Sequence, residues 1–113
     1  MTDISLVRIN CPDAEIAERI AEAAVSDRLA ACANVQGPFI SIYEWKGSLE
    51  RTEEWLLWLK TSKALFKKLE DCIVFLHPYE VPAILLIDCA DAHDPFAAWI
   101  NEAVSVAGKG MSG

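Results

Sequence analysis

His77, Tyr79 and Glu80 stand within four positions of one another in the run His77-Pro78-Tyr79-Glu80-Val81-Pro82. The two prolines rule out helix there and stiffen the loop. An imidazole and a carboxylate so placed form a partial coordination sphere for a divalent cation, which water or a neighbouring subunit would complete. His77 and Glu80 are therefore the candidate metal ligands. The same histidine has a plainer role open to it, since an imidazole at a helix end can hydrogen-bond the last helical carbonyls and pack its ring. Tyr43, Trp45, Lys60 and Tyr79 form a second candidate group, together with Glu80. They are amphipathic or polar residues near the ends of elements that should meet at subunit boundaries, where ligand pockets form. The competing assignment makes Trp45, Trp55 and Trp58 packing anchors and pairs Lys60 with Glu54 or Glu44.

Other chemistries find less support. Cys11, Cys32, Cys72 and Cys89 lie far apart with no C-x-x-C pair, so neither a zinc ribbon nor a redox dithiol is suggested. They read as reduced thiols, mostly in the core. A Cys32–His77 dyad would need a reactive thiol where the chain enters a buried strand, and an inert one is expected there. Glu53 and Glu54 are adjacent, but neighbours on a strand point to opposite faces and cannot share one substrate. Gly37 and Gly47 stand alone, without a phosphate-binding glycine pattern. His93, between Asp91 and Asp94, reads as a solvated turn residue. The protein is not expected to be an enzyme.

The elements that must position these groups follow from the patterning. Ile4–Ile9 is a short β-branched strand that stops at Asn10-Cys11-Pro12-Asp13, a helix start. A helix runs from there to about Asp27, with Ile16, Ile20, Ala23 and Ala24 on one face. Phe39–Thr61 reads as a β-hairpin around Lys46-Gly47-Ser48, and Gly37-Pro38 predicts a bulge in its first arm. Ser62 is expected to cap a second helix whose Leu65, Phe66, Leu69, Cys72, Ile73 and Leu76 face inward. Ala83–Cys89 is expected as a last, buried strand. Asp94-Pro95 opens a final helix that should turn Phe96, Trp99, Ile100 and Val104 inward, with residues 105–113 as a loose tail.

The order strand, helix, hairpin, helix, strand is that of an α+β, ferredoxin-like β-α-β-β-α-β sandwich with an antiparallel sheet, here with a C-terminal helix appended. Residues 1–113 form one domain. Two helices can cover one face of a four-stranded sheet. Yet Trp55-Leu56-Leu57-Trp58-Leu59 is apolar at every position, which calls for cover on both faces. An obligate homo-oligomer follows; in the alternative, the C-terminal helix crosses the open face of a monomer. A formal charge of −7 argues against nucleic acid and against an anionic membrane surface. Apolar runs fall short of the roughly 20 residues of a membrane span, so a soluble cytoplasmic protein with no membrane partner is expected.

Several blocks in order carry a resemblance: Cys11-Pro12-Asp13, Arg28-Leu29-Ala30-Ala31-Cys32-Ala33-Asn34, Ser41-Ile42-Tyr43-Glu44-Trp45-Lys46-Gly47, Leu59-Lys60-Thr61 and His77-Pro78-Tyr79-Glu80-Val81-Pro82. Together, over about residues 4–104, they resemble the CutA family of divalent-cation tolerance proteins. The resemblance implies a ferredoxin-like subunit in a tight homotrimer, similar to PII-type signalling proteins, and a link to copper and other divalent cations, with no organic cofactor. It also implies, through the PII-like architecture, a small anionic effector near Tyr43, Trp45 and Tyr79 with Lys60 as its charge partner. Where a copper site is described in the family, its ligand positions fall here on Ile9, Leu76 and His77. Only the last carries a donor, and the acidic residue the family tends to have at another position is Ala83 here.

Overall fold

The computed structural model describes residues 3–110, with side chains described as far as Ser105. The elements are β1 (Ile4–Cys11), α1 (Ala14–Ser26), β2 (Cys32–Trp45), β3 (Ser48–Ser62), α2 (Phe66–Leu76), β4 (Ile84–Asp88) and α3 (Asp94–Gly110), with one 3-10 turn at Lys63–Leu65 ahead of α2. The four strands form one sheet in the order β2-β3-β1-β4, antiparallel throughout. This is the expected ferredoxin-like arrangement.

Local chemistry accounts for the boundaries. Asp13 caps α1 by accepting the Ile16 N–H at 2.8 Å. The β2–β3 turn places Lys46 at φ 51° and Gly47 at φ 84°, the pair of left-handed residues that a two-residue hairpin turn needs. Upstream, the pairing of β2 with β3 shifts register between Gln36 and Phe39, so the bulge expected at Gly37-Pro38 is present. A side chain does not fit at Gly37, because a Cβ there would come within 2.8 Å of the Trp55 ring. Ser62 ends β3 and makes no side-chain cap, contrary to expectation. The chain leaves the strand through the 3-10 turn, and α2 starts at Phe66.

Strand register divides the sheet into two unlike faces. Val7 pairs with Leu59 and Ile9 with Leu57. These side chains are fully buried in one core with Ile20 and Ala24 of α1, Leu69 and Ile73 of α2, and Ile100 and Val104 of α3. On the opposite face Arg8 lies between Trp58 and Leu85, and Leu6 between Lys60 and Ile87. Leu85 and Ile87 remain 53% and 37% exposed. The last strand is therefore half open rather than buried, because its alternate residues fall on the uncovered face.

Beyond the Cys11–Trp55 pair β1 ends, and the hairpin continues as a two-stranded arm from Phe39–Glu54 to its turn. Such a ribbon is marginal alone in water, and Ile40, Ile42 and Leu49 on it are exposed. The final helix differs from expectation in two ways. It carries Ile100 and Val104 inward, but Phe96 and Trp99 are exposed and stack on each other with ring centroids 5.9 Å apart. Its backbone also continues to Gly110 where a tail from residue 105 was expected, since no proline interrupts it; residues 111–113 lie outside the described residues.

Candidate functional site

The loop from His77 to Ala83 joins α2 to β4 and folds against the end of β1 and the base of the hairpin arm. His77 sits at the C-cap of α2, where its N–H donates to the Ile73 carbonyl at 2.9 Å. Its ring is 7% exposed and both nitrogens are engaged. Nδ1 accepts the Tyr79 N–H at 3.2 Å, so Nε2 carries the proton and donates to the Asn10 carbonyl at 2.7 Å. The Tyr79 ring tilts over the imidazole at 4.7 Å between centroids.

Tyr79 is thereby aimed at Glu54. Its hydroxyl donates to Glu54 Oε2 at 2.8 Å, while Asn10 Nδ2 donates to Oε1 at 3.2 Å. The Asn10 amide is itself oriented, since its Oδ1 accepts from the Arg8 guanidinium at 3.3 Å. The Ser41 hydroxyl lies close by and favours the charged carboxylate. Glu54 is 4% exposed. Burial alone would raise its pKa, but the Ser41 hydroxyl, the bonds from Tyr79 and Asn10 and the nearby His77 ring outweigh it, and Glu54 titrates below its ordinary 4.5. Burial, and then the Glu54 acceptor, push the Tyr79 phenol well up, which keeps it a donor. Burial, with Asp13 and Glu54 adding to it, pushes the Cys11 thiol up to about 12, so it is no nucleophile.

A cleft of about 730 Å³ opens over this network. Glu54, Asn10 and Ser41 form its polar floor, and Tyr43, Trp45 and Tyr79 contribute to its walls. Tyr43 is steadied by a hydroxyl contact of 3.1 Å with Thr52. At the rim Glu80 is exposed and 3.6 Å from Lys46, whose ammonium lies 5.6 Å above the Trp45 ring.

The structure thus brings Tyr43, Trp45, Tyr79 and Glu80 together, and it separates Lys60 from them. Lys60 pairs across the sheet with Leu6 and Cys32, and its ammonium bonds Asn34 rather than either glutamate. It lies six residues along β3 from Glu54, about 20 Å at strand spacing. It therefore cannot serve as charge partner to a ligand in this cleft. His77 lies behind Tyr79 as its support and is not among the lining residues. Asn10 and Ser41 escaped the sequence reading, and Glu54 entered it only as an alternative partner for Lys60 and in the rejected Glu53–Glu54 pair. One signal was there: Glu54 shares strand parity with Leu56 and Trp58, so an acidic residue stands where the pattern calls for an apolar one.

A soft-donor copper site does not fit these residues. Both His77 nitrogens are spent, Ile9 and Leu76 offer no donor atom, and Glu80 is exposed and paired with Lys46. Among the described residues no three His, Cys, Asp or Glu side chains converge as a metal would require.

Comparison with known proteins decides the family. The family model for CutA1 divalent ion tolerance protein matches residues 5–103. This chain belongs to the CutA1 family. It is 39% identical to the divalent-cation tolerance protein CutA of Thermus thermophilus over 97 residues, 86% of this chain and 94% of that one. It is 36% identical to human protein CutA over 99 residues, 88% of this chain; it spans 55% of the human protein's length and 62% of the mouse protein's. Among solved CutA1 structures, that from Ehrlichia chaffeensis superposes with a TM-score of 0.88 at 34% identity, covering 94% of this chain and 99% of that one. A CutA from Archaeoglobus fulgidus, described as a periplasmic divalent cation tolerance protein, superposes at 0.87 with 33% identity, covering 89% and 98%. The CutA1 fold and the ferredoxin-like reading therefore agree.

Proposed function

We propose that this CutA1-family protein serves divalent-cation tolerance as a cytoplasmic, non-catalytic homotrimer, countering excess of copper-type cations without a copper chelate at His77. The family match through residues 5–103 carries the reading. The uncovered sheet face with Leu85 and Ile87 favours an assembly in which neighbouring copies cover it. The test has two arms. A host strain lacking the gene should grow less well on elevated copper, zinc or cobalt, and both wild type and His77→Ala should restore growth. Calorimetric titration of Cu(II), and of Cu(I) without oxygen, into tag-free protein should show the same weak binding for wild type and His77→Ala. Unaltered growth without the gene would sink the tolerance role, and tight stoichiometric binding lost in His77→Ala would reinstate the chelate.

A second reading is favoured by the cleft itself: a small-molecule-sensing trimer of PII-like architecture with no metal role. A large, mostly apolar hollow with a few convergent polar groups is the usual form of a ligand site.

A further inference from the structure

The charge in the cleft is of the wrong sign for an anionic effector. Two carboxylates, Glu54 and Glu80, are among the residues lining it; among the described residues no lysine, arginine or histidine lines it, and Lys46 stands at the rim paired with Glu80. Glu54 is the deeper of them in character, 4% exposed where Glu80 is largely open. Its neighbours from every side are neutral donors or point away: Asn10 from β1, Ser41 from β2, Tyr79 from the loop, with the His77 ring committed to Asn10 and to the backbone of Tyr79. Two hydrogen bonds, from Asn10 and Tyr79, hold the carboxylate without neutralising it. A carboxylate offers about four acceptor positions, so this set leaves room for a further donor.

We infer that the cleft binds a small organic cation, a primary ammonium carried on an apolar or aromatic body, with Glu54 as its charge partner and Trp45 and Tyr43 as its aromatic wall. The proposal rests on the cleft being a ligand site, the second reading above. Size and lining favour an organic guest over a bare or hydrated metal ion. A hollow of about 730 Å³ holds a molecule of drug-like dimensions, and the walls formed by Ile42, Trp45, Pro78 and Val81 offer a hydrated ion nothing. An ammonium gains twice, from the carboxylate and from the ring faces that attract cations. Lys46 illustrates the second contact at the rim, where its ammonium already stands over Trp45 and beside Glu80. That Glu54 titrates below the ordinary carboxylate range keeps it charged throughout the neutral range.

Three probes of similar size test this by calorimetry on the intact, tag-free protein at pH 7: phenethylamine, its isostere 2-phenylethanol, and phenylacetate. The amine should bind at least about tenfold more tightly than the alcohol, the margin of one charge-assisted hydrogen bond, and phenylacetate should not bind. Glu54→Gln should erase the preference for the amine, while Lys60→Ala, outside the cleft, should leave it intact. Equal binding of all three probes overturns the cation proposal but leaves the cleft a ligand site. Absence of binding by any of them overturns both. An undiminished preference in Glu54→Gln likewise refutes the role of Glu54; should that variant fail to fold, the ranking of the three probes on the unaltered protein decides alone.

Discussion

Tyr79→Phe isolates one bond of the network without changing the shape of the ring. The substitution removes the hydroxyl that donates to Glu54 Oε2 at 2.8 Å and leaves the stacking on His77 in place. A hydrogen bond to a charged group is worth about 1.5–3 kcal/mol, and the lower end applies because Tyr79 is only half-buried, so water can partly replace the lost donor. The pH dependence identifies the cause. Glu54 has its folded-state pKa depressed by Ser41, Tyr79 and Asn10, so its contribution is fully present above the ordinary carboxylate pKa of 4.5 and is lost as pH falls through the lower folded value. Removing one donor brings the folded pKa back toward 4.5. The stability gap between wild type and variant should therefore be about 1.5–2 kcal/mol at pH 7 and should close as the pH falls below that value. Urea unfolding at fixed protein concentration and several pH values measures it. A gap that persists unchanged into acid would mean that the hydroxyl acts through packing, and a gap under about 0.5 kcal/mol at pH 7 would mean that the bond to Glu54 is not formed in solution.

Three further outcomes are expected. Leu57→Ala, at a fully buried position facing Ile9, should cost about 2–5 kcal/mol in denaturant unfolding, while Phe75→Ala, 86% exposed on α2, should change stability by about 0.5 kcal/mol at most; equal costs would contradict the assignment of the two faces. Gly37→Ala should lower the melting temperature, since its Cβ would meet the Trp55 ring at 2.8 Å, and a neutral result would mean that the bulge repacks freely. If copies cover the open sheet face, the melting temperature should fall on dilution, and Trp58→Ala should deepen that fall, because the indole faces that side and holds Gln36 at 3.0 Å. Dilution with no effect on wild type and variant alike would sink the oligomer.

The fold was legible because its signals are local. The alternation and capping at Asp13, the glycine turn at Gly47 and the stripe of Leu65, Leu69 and Ile73 each act within a few residues, and the element order then admits few topologies. Errors came where burial depends on something beyond the element: Phe96 and Trp99 have the right spacing for an inward face, but the core beneath α3 is filled by Ile100 and Val104. The site was legible by half for the same reason. His77, Tyr79 and Glu80 are neighbours in the chain and announced a loop with chemistry in it. Glu54, Asn10 and Ser41 come from three different strands, and their meeting is set by register, namely Asn10 opposite Leu56 and Phe39 opposite Glu54 across a bulge. A bulge shifts register by amounts that no local pattern states, so the partner of Glu54 on β2 could not be read in advance. The consequence is chemical as well as geometric. Reading the loop alone puts a donor pair for a metal at His77 and Glu80; adding the strands turns His77 into a support for Tyr79 and transfers the functional charge to a buried carboxylate, which selects for a positively charged guest.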